Sequence, residues 1–155
     1  GLAGAPGGGH GSVPWRSPHP EDEEPMDAWQ RRAVAVPELY DSRPFAYEQC
    51  IVAGPMIFVA GQTAWDPDAG APVGIDAQTR AVFAKVERAL AAAGAGLEHL
   101  VSMTVFLTDA RLGHGFLQVR AEVLPEPYPA SAMVTVAQLA IPEMLVEVQA
   151  TAVRP

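Results

Sequence analysis

Glu147 is the side chain best suited to chemistry in this sequence. It lies in Val146-Glu147-Val148-Gln149-Ala150, an alternating stretch. In a strand, Val146, Val148, Ala150 and Ala152 share one face, while Leu145, Glu147, Gln149 and Thr151 share the other. A carboxylate there stands either on a solvated face or in a cleft. In an apolar cleft, desolvation raises its pKa and suits it to general acid or base work near neutral pH. Tyr47 brings a phenol that donates or accepts a hydrogen bond at a cleft edge, or else packs as an aromatic at a strand start. Ser131, after Tyr128-Pro129-Ala130, offers one hydroxyl and no charge. Trp65, after Gly61-Gln62-Thr63, either roofs a pocket or covers a hairpin.

Other reactive residue types carry less. His99 and His114 are not spaced with acids or cysteines as a metal site requires, so no metal is expected. Cys50 sits in an apolar strand and reads as a small buried hydrophobe. The glycines at 7 to 9 lack the Gly-Lys-Ser/Thr of a phosphate loop, and no cofactor is expected. The formal net charge of −8 argues against nucleic acid or an anionic membrane as partner. Part of that charge is the run Glu21-Asp22-Glu23-Glu24, which reads as a solvated tail. No apolar run reaches the roughly 18 residues of a membrane span. A single cysteine excludes an intramolecular disulfide, and no secretory signal is visible, so a cytoplasmic location is expected.

The elements that must position these residues follow from periodicity. Gln49 to Ala53 and Met56 to Ala60 read as strands joined by Gly54-Pro55, which predicts an antiparallel hairpin. Met56 to Ala60 is nearly all apolar and predicts burial on both faces. A helix capped by Asp76 is expected to run to about Ala93, with Val82, Phe83, Val86, Ala89, Leu90 and Ala93 on one stripe. Gly94 and Gly96 end it. Val101 to Thr108 reads as a strand, and a weaker helix is expected from about Gly115 to Leu124. Pro125, Pro127 and Pro129 then force an extended loop. Ala132 to Ala137 and Leu145 to Val153 are the last expected strands, separated by a turn at Ile141-Pro142. The order β-β-α-β-α-β-β implies an α+β domain, with helices on one face of a mixed sheet.

Hydrophobic residues make up 49% of the chain, so most of it can form a core. Residues 1–25 are the exception. They are rich in Gly, Pro and His and read as a flexible extension, too poor in apolar surface to offset ordering entropy. Trp15 or Trp29 could pin it to the body. Residues 26–43 read as a connector whose piece Arg32-Ala33-Val34-Ala35-Val36 is a possible edge strand. Residues 44–155 read as the folded domain.

Five stretches together carry a family resemblance: Tyr47-Glu48-Gln49, Phe58-Val59-Ala60-Gly61-Gln62, Thr104-Val105-Phe106-Leu107-Thr108-Asp109, Tyr128-Pro129-Ala130-Ser131 and Val146-Glu147-Val148-Gln149-Ala150. In this order and spacing, Tyr47 to Arg154 resembles the reactive intermediate deaminase family (RidA, also called YjgF-like). The resemblance implies a chorismate mutase-like (ferredoxin-like) fold and a homotrimer with a pocket at each subunit interface. It implies hydrolysis of an enamine or imine to a carbonyl compound and ammonia, without cofactor or metal. It also implies that Glu147 positions a water or handles a proton, with Tyr47 beside it.

Ser131 departs from that pattern, because the resemblance implies an arginine there, gripping a substrate carboxylate through paired N–H bonds. Losing such a charged partner costs about 1.5–3 kcal/mol in recognition. Ala60 stands for a serine, Met133 for a cysteine and Leu117 for an asparagine, the last after a one-residue insertion near Gly113. All three changes remove polarity. A small imino acid is thus an unfavourable substrate, and a larger or more apolar intermediate of a specialised biosynthetic pathway fits better. Deamination, hydrolysis, isomerisation and cyclisation remain open. A non-catalytic metabolite-binding trimer is the rival reading. A nuclease acting on RNA is a third, disfavoured by the acidic balance.

Overall fold

Among the described residues, six strands and two α-helices follow one another: β1 (Arg31–Ala33), β2 (Cys50–Ala53), β3 (Met56–Thr63), α1 (Ile75–Ala92), β4 (Leu100–Leu107), α2 (Gly113–Val123), β5 (Ala130–Thr135) and β6 (Val146–Val153). The computed structural model describes residues 29–155. The expectations for residues 1–25, including Trp15, the acidic run and the glycines at 7 to 9, lie outside the described residues. The six strands form one sheet in the order β1-β2-β3-β6-β4-β5. β4 and β5 are parallel, and the other neighbours are antiparallel. The architecture is α+β on a mixed sheet, as the order of elements implies.

The crossovers β3-α1-β4 and β4-α2-β5 lay both helices on the same face. The core lies between that face and α1, where Val82, Phe83, Val86, Ala89 and Leu90 are buried against Ile57, Val59, Val105, Val146, Val148 and Ala150. Phe83 stacks on Phe116 of α2 with centroids 6.1 Å apart. Burying side chains of this size contributes about 1.5–3 kcal/mol each. The expected stripe of α1 is therefore the core face.

β2 and β3 form the expected hairpin at Gly54-Pro55, with Ala53 opposite Met56. Gly54 has φ 56°, a left-handed turn conformation, and the Trp29 ring lies against it. β1 adds to the outer side of β2, with Arg32 opposite Val52. The strand begins one residue before the expected Arg32 and ends at Ala33.

Four further expectations differ from the structure. Asp76 does not cap α1: the N-cap is Gly74, with φ 90°, and Asp76 sits within the first turn, where its charge complements the helix dipole. The weaker helix starts two residues earlier, at Gly113. β5 begins at Ala130, immediately after the prolines, because Ala130 pairs with Ser102 and Ser131 with Met103. Ser131 is thus a strand residue. Finally, β3 is not buried on both faces within one chain. Ile57 and Val59 are buried, but Phe58 between them is 45% exposed on the face without helices.

Candidate functional site

Glu147 lies on the helix-free face of β6. Its neighbours Val146 and Val148 are fully buried in the core on the other side. Beside it, β3 breaks its register with β6 between Val59 and Gln62, a bulge that contains Ala60 and Gly61. Beyond the bulge, Thr63 is opposite Glu147. The carboxylate folds back over Gly61: a Cβ built there would stand 1.9 Å from Oε1. Gly61 is the glycine of this site whose missing side chain makes room for a neighbour. Glu147 is half-buried, and desolvation raises its pKa above the usual carboxylate value. Among the described residues it forms no ion pair.

A buried polar network holds the bulge and the segment carrying Tyr47. Gln62 Nε2 donates to Gln49 Oε1 at 2.8 Å and to the Ala60 carbonyl at 3.2 Å. Gln49 Nε2 donates to the Tyr40 carbonyl at 3.2 Å, and the Ala60 N–H donates to the Gln49 carbonyl at 3.0 Å. Both glutamines are buried, so leaving either unpaired would be costly. Ser42, also buried, donates from Oγ to the Tyr47 carbonyl at 2.8 Å. These bonds fix the loop between β1 and β2 on the sheet and present the Tyr47 ring, which is 36% exposed. The Tyr47 and Tyr40 hydroxyls are hydrogen-bonded to each other. The Tyr47 phenol is pushed well above its ordinary value, first by desolvation, then by Tyr40, and further by the charge of Glu147. It therefore stays protonated at neutral pH.

Trp65 meets this group through Tyr40, edge to face at 6.2 Å. Its carbonyl accepts from Lys85 of α1. The structure thus gathers Glu147, Ala60, Gly61 and Tyr47, with Tyr40 and Trp65 behind. Tyr40 was not legible as a site residue: nothing in its spacing signals a partner seven residues away across a loop.

Ser131, Met133 and Leu117 form a second group elsewhere. They lie on the helix side of the far sheet edge. The Met133 methyl lies over Gly113 of α2, and Ser131 Oγ accepts from Arg120 Nη1 at 3.3 Å. Leu117, Arg120, Leu124, Tyr128 and Ser131 line a cleft of about 190 Å³ between α2 and β5. Within one chain, Glu147 and this second group are on opposite faces of the sheet. Arg120 is the residue missed at this second location, because only the packing of α2 on β5 brings it to Ser131.

Residues 41–154 match the family described as Endoribonuclease L-PSP. The chain belongs to this family, the YjgF-like proteins. A RutC family protein of Pyrococcus horikoshii is 37% identical over 108 residues, covering 68% of this chain and 85% of its own. A putative reactive intermediate deaminase, TdcF, of Escherichia coli is 31% identical over 112 residues, covering 70% and 86%. A mitochondrial protein of Schizosaccharomyces pombe, mmf2, is 34% identical over 93 residues, covering 60% of this chain and 74% of its own. A Mycobacterium tuberculosis member of the YjgF family superposes with a TM-score of 0.70 at 31% identity, covering 80% of this chain and 99% of its own. The YjgF-like fold of this chain is thus that of a chorismate mutase-like domain.

Cys50 and His99, set aside in the sequence, occupy structural positions in this YjgF-like domain. Cys50 is fully buried, and burial pushes its thiol up to about 11. His99 Nδ1 accepts from the Gly96 N–H at 2.9 Å at the start of a short turn. Among the described residues, no three His, Cys, Asp or Glu side chains gather as metal ligands would. No helix among them is long and apolar enough to cross a membrane.

Proposed function

We propose that this chain is a cofactor-independent enzyme of reactive nitrogen intermediates, acting through Glu147 in a pocket completed between subunits of a homotrimer. The observation that carries the reading is the Glu147 carboxylate: half-buried, without an ion-pair partner among the described residues, packed over Gly61 at the β3 bulge, and near enough for its charge to add to the raised pKa of Tyr47. A desolvated carboxyl can take a proton from water and return it to carbon or nitrogen. With an enamine or imine substrate, Glu147 delivers that proton and then orients the water that attacks the carbon. The carbon–nitrogen bond breaks, leaving a carbonyl compound and ammonia. Tyr47, kept protonated, donates a hydrogen bond and does not take part as a base.

The trimer is supported by the two groups of side chains on opposite faces. A second copy packed on the helix-free face would bring its α2–β5 edge toward Glu147. Phe58 and Val134, exposed on that face, would then be covered. Ala60, Met133 and Leu117 favour a substrate larger or more apolar than a simple imino acid, of the kind a specialised biosynthetic pathway makes. The same three residues favour the rival reading, a trimer that binds a metabolite without turning it over. We place the protein in a reducing compartment, the cytoplasm. The acidic balance gives no support to an RNA substrate.

A panel of imines tests this reading. An amino-acid oxidase generates each imine in place, and ammonia release is followed with and without the protein. Faster release for imines with branched or aromatic side chains than for iminopropionate is expected. Binding of those compounds with no acceleration of any would establish the rival. Sedimentation at micromolar concentration should give a trimer, and a monomer would remove the composite pocket.

A further inference from the structure

We infer that Arg120 is the anion-recognising residue of the α2–β5 cleft, and that the ligand is a carboxylate joined to an apolar body. The inference deepens the proposed reading, since it names the substrate class of the same composite pocket. Arg120 is rooted on α2, and its guanidinium reaches down to the strand, where Nη1 donates to Ser131 Oγ at 3.3 Å. Its Cζ lies 5.7 Å from the centroid of the Phe116 ring, which supports one face of the fork. A long bond to a neutral hydroxyl uses one of its five N–H donors and leaves the charge uncompensated.

Four arginines are ion-paired, whereas Arg31, Arg32 and Arg154, outside this cleft, form no ion pair among the described residues. Arg43 pairs with Asp41, Arg88 with Glu38 and Arg111 with Asp109. Glu122, two residues from Arg120, is paired with Arg80 of α1. Among the described residues Arg120 itself forms no ion pair. A guanidinium lining a cleft, held on an aromatic ring and without a carboxylate, is placed to receive one from a ligand.

Ser131 belongs to the same device. A longer side chain at 131 would fill the space the guanidinium occupies, so the small residue makes room and its hydroxyl aims the fork. The positive charge therefore enters from the helix and sits close over the strand. A guanidinium rooted at 131 itself would project further out from the strand. A carboxylate on Arg120 is set back accordingly, and a ligand must be longer to reach a reacting centre beside Glu147. Leu117, Leu124 and Tyr128 line the way with apolar surface.

The test uses the full chain and two probes, 3-phenylpropionate and its neutral amide, titrated by calorimetry with the backbone amides of 120 and 131 followed by NMR. The native protein is expected to prefer the acid over the amide by about tenfold or more. Arg120→Gln should weaken the acid by about 10- to 100-fold, the range for a lost hydrogen bond to a charged group, and leave the amide unchanged. Arg120→Lys keeps the stem and the charge but not the fork, and should bind the acid with intermediate affinity. If Arg120→Gln fails to fold, the acid-to-amide ratio of Arg120→Lys decides, and a native ratio there overturns the inference. Equal binding of acid and amide, no binding of either to the native chain, or native acid affinity in a folded Arg120→Gln overturns it as well. Glu147→Gln should bind the acid undiminished. The inference thus stands or falls separately from the catalytic reading.

Discussion

Gly61 and Glu147 share one space. The bulge in β3 brings the Gly61 backbone under the carboxylate so closely that a methyl group there would stand 1.9 Å from Oε1. The contact ties an acid on one strand to a missing side chain on its neighbour. It accounts for Gly61 without invoking an unusual backbone, since the requirement is space alone. It also lets the Glu147 carboxylate lie over the bulge without an ion-pair partner among the described residues.

Gly61→Ala should therefore move the carboxylate and little else. The obstructing atom is the far end of a flexible side chain, so Glu147 can rotate at a cost of about 0.5–1.5 kcal/mol. The melting temperature is expected to change by a few degrees at most, while turnover of an accepted imine falls by about 10²-fold, within the range of acid–base catalysis. Measuring both on one preparation checks this. Full activity in a folded Gly61→Ala would show that the position of the carboxylate does not matter.

Iminopropionate should be hydrolysed about 10- to 100-fold more slowly than by a relative with an arginine at the position of Ser131. The reason is placement: Arg120 holds its charge over the strand, and so small an acid cannot reach both it and Glu147. Ser131→Arg should restore little, because it sets a second guanidinium against the first. The assay couples an imine-generating oxidase to detection of the keto acid. A native rate equal to the relative's would remove the argument from Ser131.

The hydroxyl pair of Tyr40 and Tyr47 is open to direct titration. The chain has three tyrosines, so Tyr128→Phe leaves only this pair, and adding Tyr40→Phe leaves Tyr47 alone. Tyr40 raises the Tyr47 pKa, so its removal should lower it. Tyr47 should still ionise above the ordinary value of 10.0, because desolvation is the larger cause and remains. Tyrosinate absorbance against pH reads both. An unchanged or raised Tyr47 titration in the double variant would mean the hydroxyls are not coupled.

Much of this was legible in the sequence because it depends on local pattern. Val82, Phe83, Val86, Ala89 and Leu90 recur at helical spacing and are the buried face of α1. Gly54-Pro55 marks the β2–β3 turn, and the alternation around Glu147 gives its face of β6. The rest depends on contacts between distant segments. An apolar run such as Met56 to Ala60 cannot say that its outward Phe58 is left uncovered by the chain's own helices. Arg120 looks like an ordinary helix arginine until β5 brings Ser131 beneath it, and Tyr40 looks like a loop aromatic until Gln49 fastens its carbonyl.

Glu147→Gln separates a chemical role from a structural one. As an acid or base, Glu147 should lose about 10²–10⁴-fold in turnover when replaced by an amide that keeps its shape but cannot exchange a proton at neutral pH. Stability should move the other way. Folding raises the Glu147 pKa above its value of 4.5 in the unfolded chain, so the folded state holds the proton more tightly. Stability is then lost as pH rises from about 4.5 through the folded pKa, and the penalty stays constant above it. Glutamine carries no such penalty. Glu147→Gln should thus melt slightly higher than the native protein at pH 8, and the difference should vanish below pH 4.5. Thermal melts across this range, with turnover measured on the same samples, decide the matter. A variant that melts lower at pH 8 would mean that the carboxylate has a stabilising cationic partner in the assembly. A folded variant with full turnover would return the pocket to the metabolite-binding reading.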